Sequence, residues 1–316
     1  MKQLDFIPFL YILSGLFLFL FALDQIKFSL NNLFITKLKT VITKSVNTKF
    51  KSFLFGLIAS AAIQSSSGTT AIAITLLSSK YIRPKDCLGI IIGANLGTCV
   101  TTFIMAINVD NIFLYLITLG AILYFFIPKI KKYSILIIYV GIMLLGLELL
   151  NQGFNNILNV KYIYNIVNNI QNSKSLSILF GILSTSIIQS SSGIIGIVEE
   201  MYISNLINLS SSISIMLGAN IGTTLTGYIA TINTTGETKK IINMNLIFNI
   251  LGVLLFIFIF NIFIRHITFM QDKYFLNNLK LSIAYAHFIF NLISVILSYI
   301  FFDVFSYFLK SKNDAL

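Results

Sequence analysis

Apolar residues run along this chain in long stretches, separated by short polar segments rich in lysine. Seven stretches are long enough to cross a bilayer as helices: roughly 6–23, 88–107, 111–127, 134–150, 212–231, 241–264 and 281–309. Two more, 52–78 and 175–204, are equally apolar at their ends. Near their middles they carry Gln64-Ser65-Ser66-Ser67-Gly68 and Gln189-Ser190-Ser191-Ser192-Gly193. Three adjacent hydroxyls and an amide at membrane depth are costly unless something binds there. Each of these stretches could be one long helix. A re-entrant hairpin is the better reading, because non-helical backbone at that depth is stable where it lines a cavity or is covered by protein. The segments 24–51 and 151–174 mix Asn, Lys, Ser and Thr with Ile, Leu and Phe, a pattern expected of interfacial amphipathic helices leading into each hairpin.

The two polar motifs belong to a longer duplication. Residues 54–68 and 179–193 are identical at nine of fifteen positions, at an offset of 125. The same offset, with no gap, superposes Gly93-Ala94-Asn95-Leu96-Gly97-Thr98 on Gly218-Ala219-Asn220-Ile221-Gly222-Thr223. Two spaced motifs at one constant offset mark an ancestral repeat. Three crossings lie between the hairpins, and an odd number inverts the second copy. The pattern predicts an all-α polytopic membrane protein of two inverted-topology repeats, 1–128 and 129–264, with an extra C-terminal span in 265–316. Inverted repeats with broken helices put a site at the bilayer midplane in secondary transporters.

Composition agrees. Of 316 residues 56% are hydrophobic and 10% charged, against about 25% charged in a soluble domain. The net charge of +11 does not indicate nucleic-acid binding, since Lys and Arg sit between the apolar runs and serve as topology signals. With both motif segments re-entrant, sixteen of the twenty-two Lys and Arg fall on one side, in 24–51, 80–85, 129–132, 239–240 and 310–312. That side is expected to be cytoplasmic, in the cell (inner) membrane, and the C-terminus falls on it. The first apolar stretch has no Ala-x-Ala site after it, so no cleavable signal is expected. Cys87 and Cys99 form no Cys-x-x-Cys pair and imply neither a disulfide framework nor a zinc site.

The candidate chemistry follows from the motif. Ser65, Ser66, Ser67, Ser190, Ser191 and Ser192 offer hydroxyls that donate and accept hydrogen bonds. A half-helix starting near Gly68 or Gly193 adds free backbone N–H groups and a positive dipole end, which together suit phosphate or a carboxylate. The other half-helix ends at Ile63 or Ile188. Its free carbonyls, with the Gln64 and Gln189 amides and hydroxyls such as those of Ser66 and Ser191, could ligate a hard cation. Asn95, Thr98, Asn220 and Thr223 bring further oxygens into a crossing helix, where the glycines make local unwinding plausible. Thr101, Thr102, Thr224 and Thr226 extend the polar face. No Lys or Arg is expected at the site, so a co-bound sodium would offset the anion's charge and couple the two. Glu199 and Glu200 lie roughly 15 Å from Gln189 by helix rise, where a solvated hairpin end is expected. Glu148 is read the same way, and His287 as a helix-packing hydrogen bond. A serine nucleophile would need a base within reach, and His266 and His287 belong to neither repeat.

At these residues the chain resembles the sodium/phosphate cotransporter family, which includes the type II renal and intestinal transporters and bacterial relatives. That family carries duplicated Gln-Ser-Ser-Ser hairpins, each followed by a Gly-Ala-Asn-Ile-Gly-Thr helix. The resemblance covers nearly the whole chain. It implies that the six motif serines contact inorganic phosphate, and that Gln64, Thr70 and Gln189, with Asn95 and Asn220, hold sodium or shape the site. The family often has a hydroxyl six residues after the second Gln, where this chain has Ile195, so the halves are expected to bind unequally. A second familial pattern, Ala286-His287 to Phe290-Asn291, has a degraded counterpart at Asn245 to Asn249. Many bacterial relatives append a soluble helical domain resembling the phosphate-signalling regulator; this chain stops at Leu316, and such regulation is not assumed for it.

Overall fold

The computed structural model describes residues 6–107, 111–157, 161–230 and 236–302. The described residues form helices and no strand. In chain order they are α1 (Phe6–Ser45), α2 (Lys49–Ile63), α3 (Ser66–Ser78), α4 (Pro84–Gly97), α5 (Cys99–Met105), α6 (Ile112–Phe126), α7 (Lys131–Ile157), α8 (Lys161–Gln171), α9 (Lys174–Ile188), α10 (Ser191–Ile203), α11 (Leu209–Ala230), α12 (Glu237–Phe258), α13 (Phe260–Met270) and α14 (Lys280–Ile300).

Among the described residues, five segments are long and apolar enough to cross a membrane: Phe6–Phe34, Pro84–Met105, Pro128–Ile157, Glu237–Phe258 and Lys280–Ile300. Two of the seven predicted spans therefore fall short by length or composition. α6 has 15 residues, about 22 Å of rise against a hydrocarbon core of about 30 Å. α11 has 22 residues but is diluted by Ser, Gly and Thr. Large apolar side chains face outward, such as Phe17, Phe125, Phe126, Ile187 and Phe258, as a lipid-facing surface requires.

One predicted boundary moves. The segment 24–45 is not a separate interfacial helix, because α1 runs unbroken from Phe6 to Ser45. Ala22, Leu23, Ile26 and Leu30 are all buried and carry the inward face of α1 on past Leu23, in the same core as Met143, Leu147 and Leu150 of α7. Asp24 and Lys27 thus lie within a span. On the other side α7 reaches Ile157, and α8 is a short amphipathic helix as expected. Residues 303–316, which hold the predicted cytoplasmic C-terminus, and the side chain of Thr226 lie outside the described residues.

The offset of 125 recurs throughout the packing. Thr48 and Ser173 cap the starts of α2 and α9, accepting from Lys51 N–H (3.2 Å) and Leu176 N–H (3.3 Å). α4 lies against α2 at glycines so closely that a Cβ on Gly56 would come within 1.9 Å of Ile90 O, and one on Gly93 within 2.0 Å of Phe53 O. α11 lies against α9 in the same way, through Gly181 on Ile215 O (2.1 Å) and Gly218 on Ile178 O (2.0 Å). Small residues let helix backbones approach where lipid offers no hydrophobic drive to association. The copies also differ. The first Gly-Ala-Asn-x-Gly-Thr stretch is interrupted at Thr98, between α4 and α5, whereas α11 passes through the second without a break. The expected unwinding occurs in one copy only.

These contacts predict that Gly56→Ala or Gly181→Ala forces the paired helices apart, at about 1–3 kcal/mol or more. Gly227→Ala, where a Cβ meets nothing within 4 Å, should be tolerated. Thermal unfolding followed by far-UV circular dichroism checks this; equal melting temperatures for all three variants would contradict it.

Candidate functional site

Both polar motifs break a helix with the same local geometry. α2 ends at Ile63 and α9 at Ile188, as expected. Gln64 and Gln189 then take the left-handed conformation (φ 52° and 58°), with their N–H groups bonded back to Ser60 O and Thr185 O. Such a residue closes a helix end by satisfying a carbonyl that would otherwise be orphaned. The next helices start two residues earlier than predicted, at Ser66 and Ser191. Ser65 and Ser190 are therefore N-caps. Ser65 Oγ accepts from Gly68 N–H (3.0 Å) and Ser190 Oγ from Gly193 N–H (3.2 Å). Each cap hydroxyl also lies 3.4 Å from the hydroxyl two residues on, Ser67 or Ser192. The Ser65 and Ser190 oxygens thus hold their own helices while keeping a hydroxyl proton to offer.

A cavity of about 430 Å³ lies where the two copies meet. From the first copy it is lined by Ser66, Ser67, Thr70 and Asn95, and from the second by Gln189 and Thr223. Ala71, Ile74, Thr75, Thr224, Gly227, Ile242 and Asn245 complete the wall, and none of the lining residues carries a formal charge. Asn245 is held in place by Asn95, whose Nδ2 donates to its Oδ1 (3.3 Å). Thr75 and Asn245 were not assigned to the site from the sequence. Asn245 had a signal, the degraded second pattern. Thr75 had none beyond lying five residues after Thr70 on α3.

The other predicted residues line no part of this cavity. Gln64 and Ser65 form the turn beside it. Thr98 is buried and donates to Asn95 O (2.8 Å), bracing that residue from behind. Asn220 is buried against α14, donating to Met216 O (2.9 Å) and accepting from Asn291 Nδ2 (3.5 Å). Ser190, Ser191 and Ser192 are all buried, with relative exposures of 6%, 7% and 4%. Thr70 and Ile195, matched by the offset, are placed differently: Thr70 lines the cavity, while Ile195 is fully buried in an apolar cluster with Met216 and Phe256.

Three charged groups are not where the sequence put them. Glu199 and Glu200 do not form a solvated hairpin end; both are buried, at 0% and 1% exposure. Lys280, eighty residues away, pairs with Glu200 Oε1 at 2.5 Å, and Asn151 Nδ2 donates to its other oxygen at 3.3 Å. Neither oxygen of Glu199 has a hydrogen-bond partner among the described residues. The second motif is also not free of cations. Lys27 Nζ donates to Ser190 Oγ at 3.0 Å. Glu148 is exposed as expected, bonded to Gln152. His287 Nδ1 lies 3.4 Å from Thr102 Oγ1, the packing contact foreseen for it.

All-helical described residues with several membrane-length spans have the build of a multi-pass membrane protein, with an uncharged polar cavity between two matched motifs. Comparison with known proteins makes the class specific. The family model described as Na+/Pi-cotransporter matches residues 18–152 and again residues 142–271, and the chain belongs to that family. It is 26% identical to YqeW of Bacillus subtilis over 239 residues, 75% of this chain and 78% of that one. It is 23% identical over 306 residues, 96% of this chain, to the Escherichia coli protein named "Putative inorganic phosphate export protein YjbB", and covers 55% of that relative's length. A segment of 125 residues, 40% of this chain and 16% of the relative, is 30% identical to human sodium-dependent phosphate transport protein 2B. No solved structure matches the chain.

The Lys280–Glu200 pair predicts a stability effect separable from the cavity. Glu200→Gln removes the carboxylate paired with the largely covered Lys280 ammonium and should destabilise the fold by about 3 kcal/mol. A denaturation midpoint equal to wild type would show that water reaches the pair and screens it.

Proposed function

We propose that this chain is a sodium-coupled carrier of inorganic phosphate working by alternating access between two inverted halves. In this reading α2–α3 and α9–α10 are re-entrant hairpins entering the cell (inner) membrane from opposite faces, with the C-terminus cytoplasmic. The halves are 1–128 and 129–264, and 265–316 holds an added span. The observation that carries the reading is one cavity to which the first motif and the residues after it contribute Ser66, Ser67 and Thr70 and the second motif contributes Gln189. A phosphate in that cavity meets hydroxyls and amides, with the N-terminal ends of α3 and α10 close by. Sodium, ligated by Gln64, Gln189, Thr70, Ser66 and Ser191, lowers the electrostatic cost of the anion in a site walled by neutral groups. By linkage each ligand then raises the affinity of the other by the same factor.

Phosphate as substrate is supported by the family and by the names of the E. coli and human relatives. The E. coli relative's name specifies export, while the human relative's name gives sodium dependence and no direction, so the second reading is a phosphate exporter built on the same site. Carriage of another oxyanion is separated by competition with sulfate and arsenate.

Labelled phosphate uptake into proteoliposomes should rise several-fold with an inward sodium gradient. Gln189→Ala should abolish it, and Thr70→Val should weaken its sodium dependence more than its maximal rate. Uptake indifferent to sodium would overturn the coupling and leave the exporter or another driving ion.

A further inference from the structure

Lys27 is a charged residue inside a membrane-length helix, on a face continued by Leu23, Ile26 and Leu30, all buried. Charges in such a place are expensive and mark sites of function or pairing. The nearest carboxylate, Asp24, lies 4.0 Å away and is 77% exposed, while the Lys27 side chain is 21% exposed. Pairing with Asp24 therefore does not explain the burial of Lys27. The ammonium instead donates to Ser190 Oγ at 3.0 Å. α1 is fitted to deliver it: Phe19 packs on Gly196 and Leu23 on Gly193, where Cβ atoms would meet their side chains at 3.4 Å and 3.1 Å. Residues 19, 23 and 27, one turn apart on α1, thus meet 196, 193 and 190 along α10 in antiparallel order. Ser190 directly follows Gln189, which lines the cavity.

The first copy has a neutral residue at the equivalent place. The position matching Lys27 at the 125 offset is Gln152, which is neutral and bonded to Glu148. The copies differ in a second, complementary way: the first has the Thr70 hydroxyl in the cavity where the second has buried Ile195. The copy with isoleucine in place of a hydroxyl is the copy whose cap serine carries an ammonium.

We propose that the Lys27 ammonium is a tethered cation of the substrate site, set on the second motif to offset the charge of the bound oxyanion there. It does for the second half what a sodium ion does for the first. The proposal rests on the phosphate-carrier reading above. An ammonium on a fixed helix cannot leave with the substrate, so it contributes charge compensation without adding to the number of ions carried.

The test is equilibrium binding of labelled inorganic phosphate to the purified full chain in nanodiscs, at several sodium concentrations. Lys27→Gln should bind phosphate about tenfold more weakly or worse at a fixed low sodium concentration. Its sodium dependence should be steeper, because a mobile ion must replace the fixed charge. Lys27→Arg should keep most of the affinity. Lys27→His supplies a charge that pH controls: its affinity relative to wild type should recover between pH 8 and pH 6, as the imidazole, with a usual pKa of about 6.5, gains its proton. If Lys27→Gln fails to fold, the Lys27→His ratio decides alone. Wild-type-like binding and sodium slope in Lys27→Gln, or a Lys27→His ratio flat across pH, overturns the inference. Wild-type protein that binds no phosphate at any sodium concentration overturns the function proposed above and this inference with it.

Discussion

Everything at the site depends on breaking an apolar helix twice without leaving its backbone polar groups unsatisfied. In an apolar surrounding there is no water to complete N–H and C=O groups, and each orphan costs several kcal/mol. The chain meets the constraint identically in both copies: a left-handed glutamine turns its N–H back onto the ending helix, and a serine hydroxyl caps the N–H at the start of the next. That arrangement dictates the motif's composition. Gln64 and Gln189 must turn, Ser65 and Ser190 must cap, and the following serines stand in the first turn of a helix whose positive end faces the break. The residues that make the break possible also supply the polar groups that a ligand would use.

Close packing of α4 on α2 and of α11 on α9 holds each break in position. The glycine contacts at Gly56, Gly93, Gly181 and Gly218 leave no room for a methyl group, so each broken pair is clamped to its partner helix over several turns. Against this common frame the differences between the copies stand out. In the first, the partner helix is interrupted at Thr98 and Thr70 opens onto the cavity. In the second, the partner helix is continuous, Ile195 is packed away and an ammonium sits on the cap serine. One half presents more neutral oxygen and the other a fixed charge, which suits the compensation of a multivalent anion by unlike means from two sides.

Much of this was legible in the sequence because a duplication writes its constraints twice. Ser66, Ser67, Thr70, Asn95, Gln189 and Thr223 were expected near one another from motif, spacing and resemblance, and all line one cavity. The helix ends at Ile63 and Ile188 were fixed by the same pattern. What escaped was set by partners distant in sequence. Lys27 reads as the polar boundary of an apolar run, and only the packing of α1 on Gly193 and Gly196 shows it to be inside. Glu199 and Glu200 read as a solvated end, because nothing near them in sequence announces Lys280. Asn220 belongs to a motif that matches Asn95, yet α14 covers it through Asn291. Local pattern fixes helices and turns; which face of a helix is covered depends on elements the pattern does not link.

The central claim is that the two motif copies form one site rather than two. The most direct measurement is the stoichiometry of phosphate bound at saturation, in saturating sodium, to wild type and to variants altered in one copy. The account predicts one phosphate per chain, with binding lost both when Ser66 and Ser67 are changed to Ala and when Gln189 is changed to Ala. Two phosphates per chain, or half the binding surviving in either variant, would contradict it.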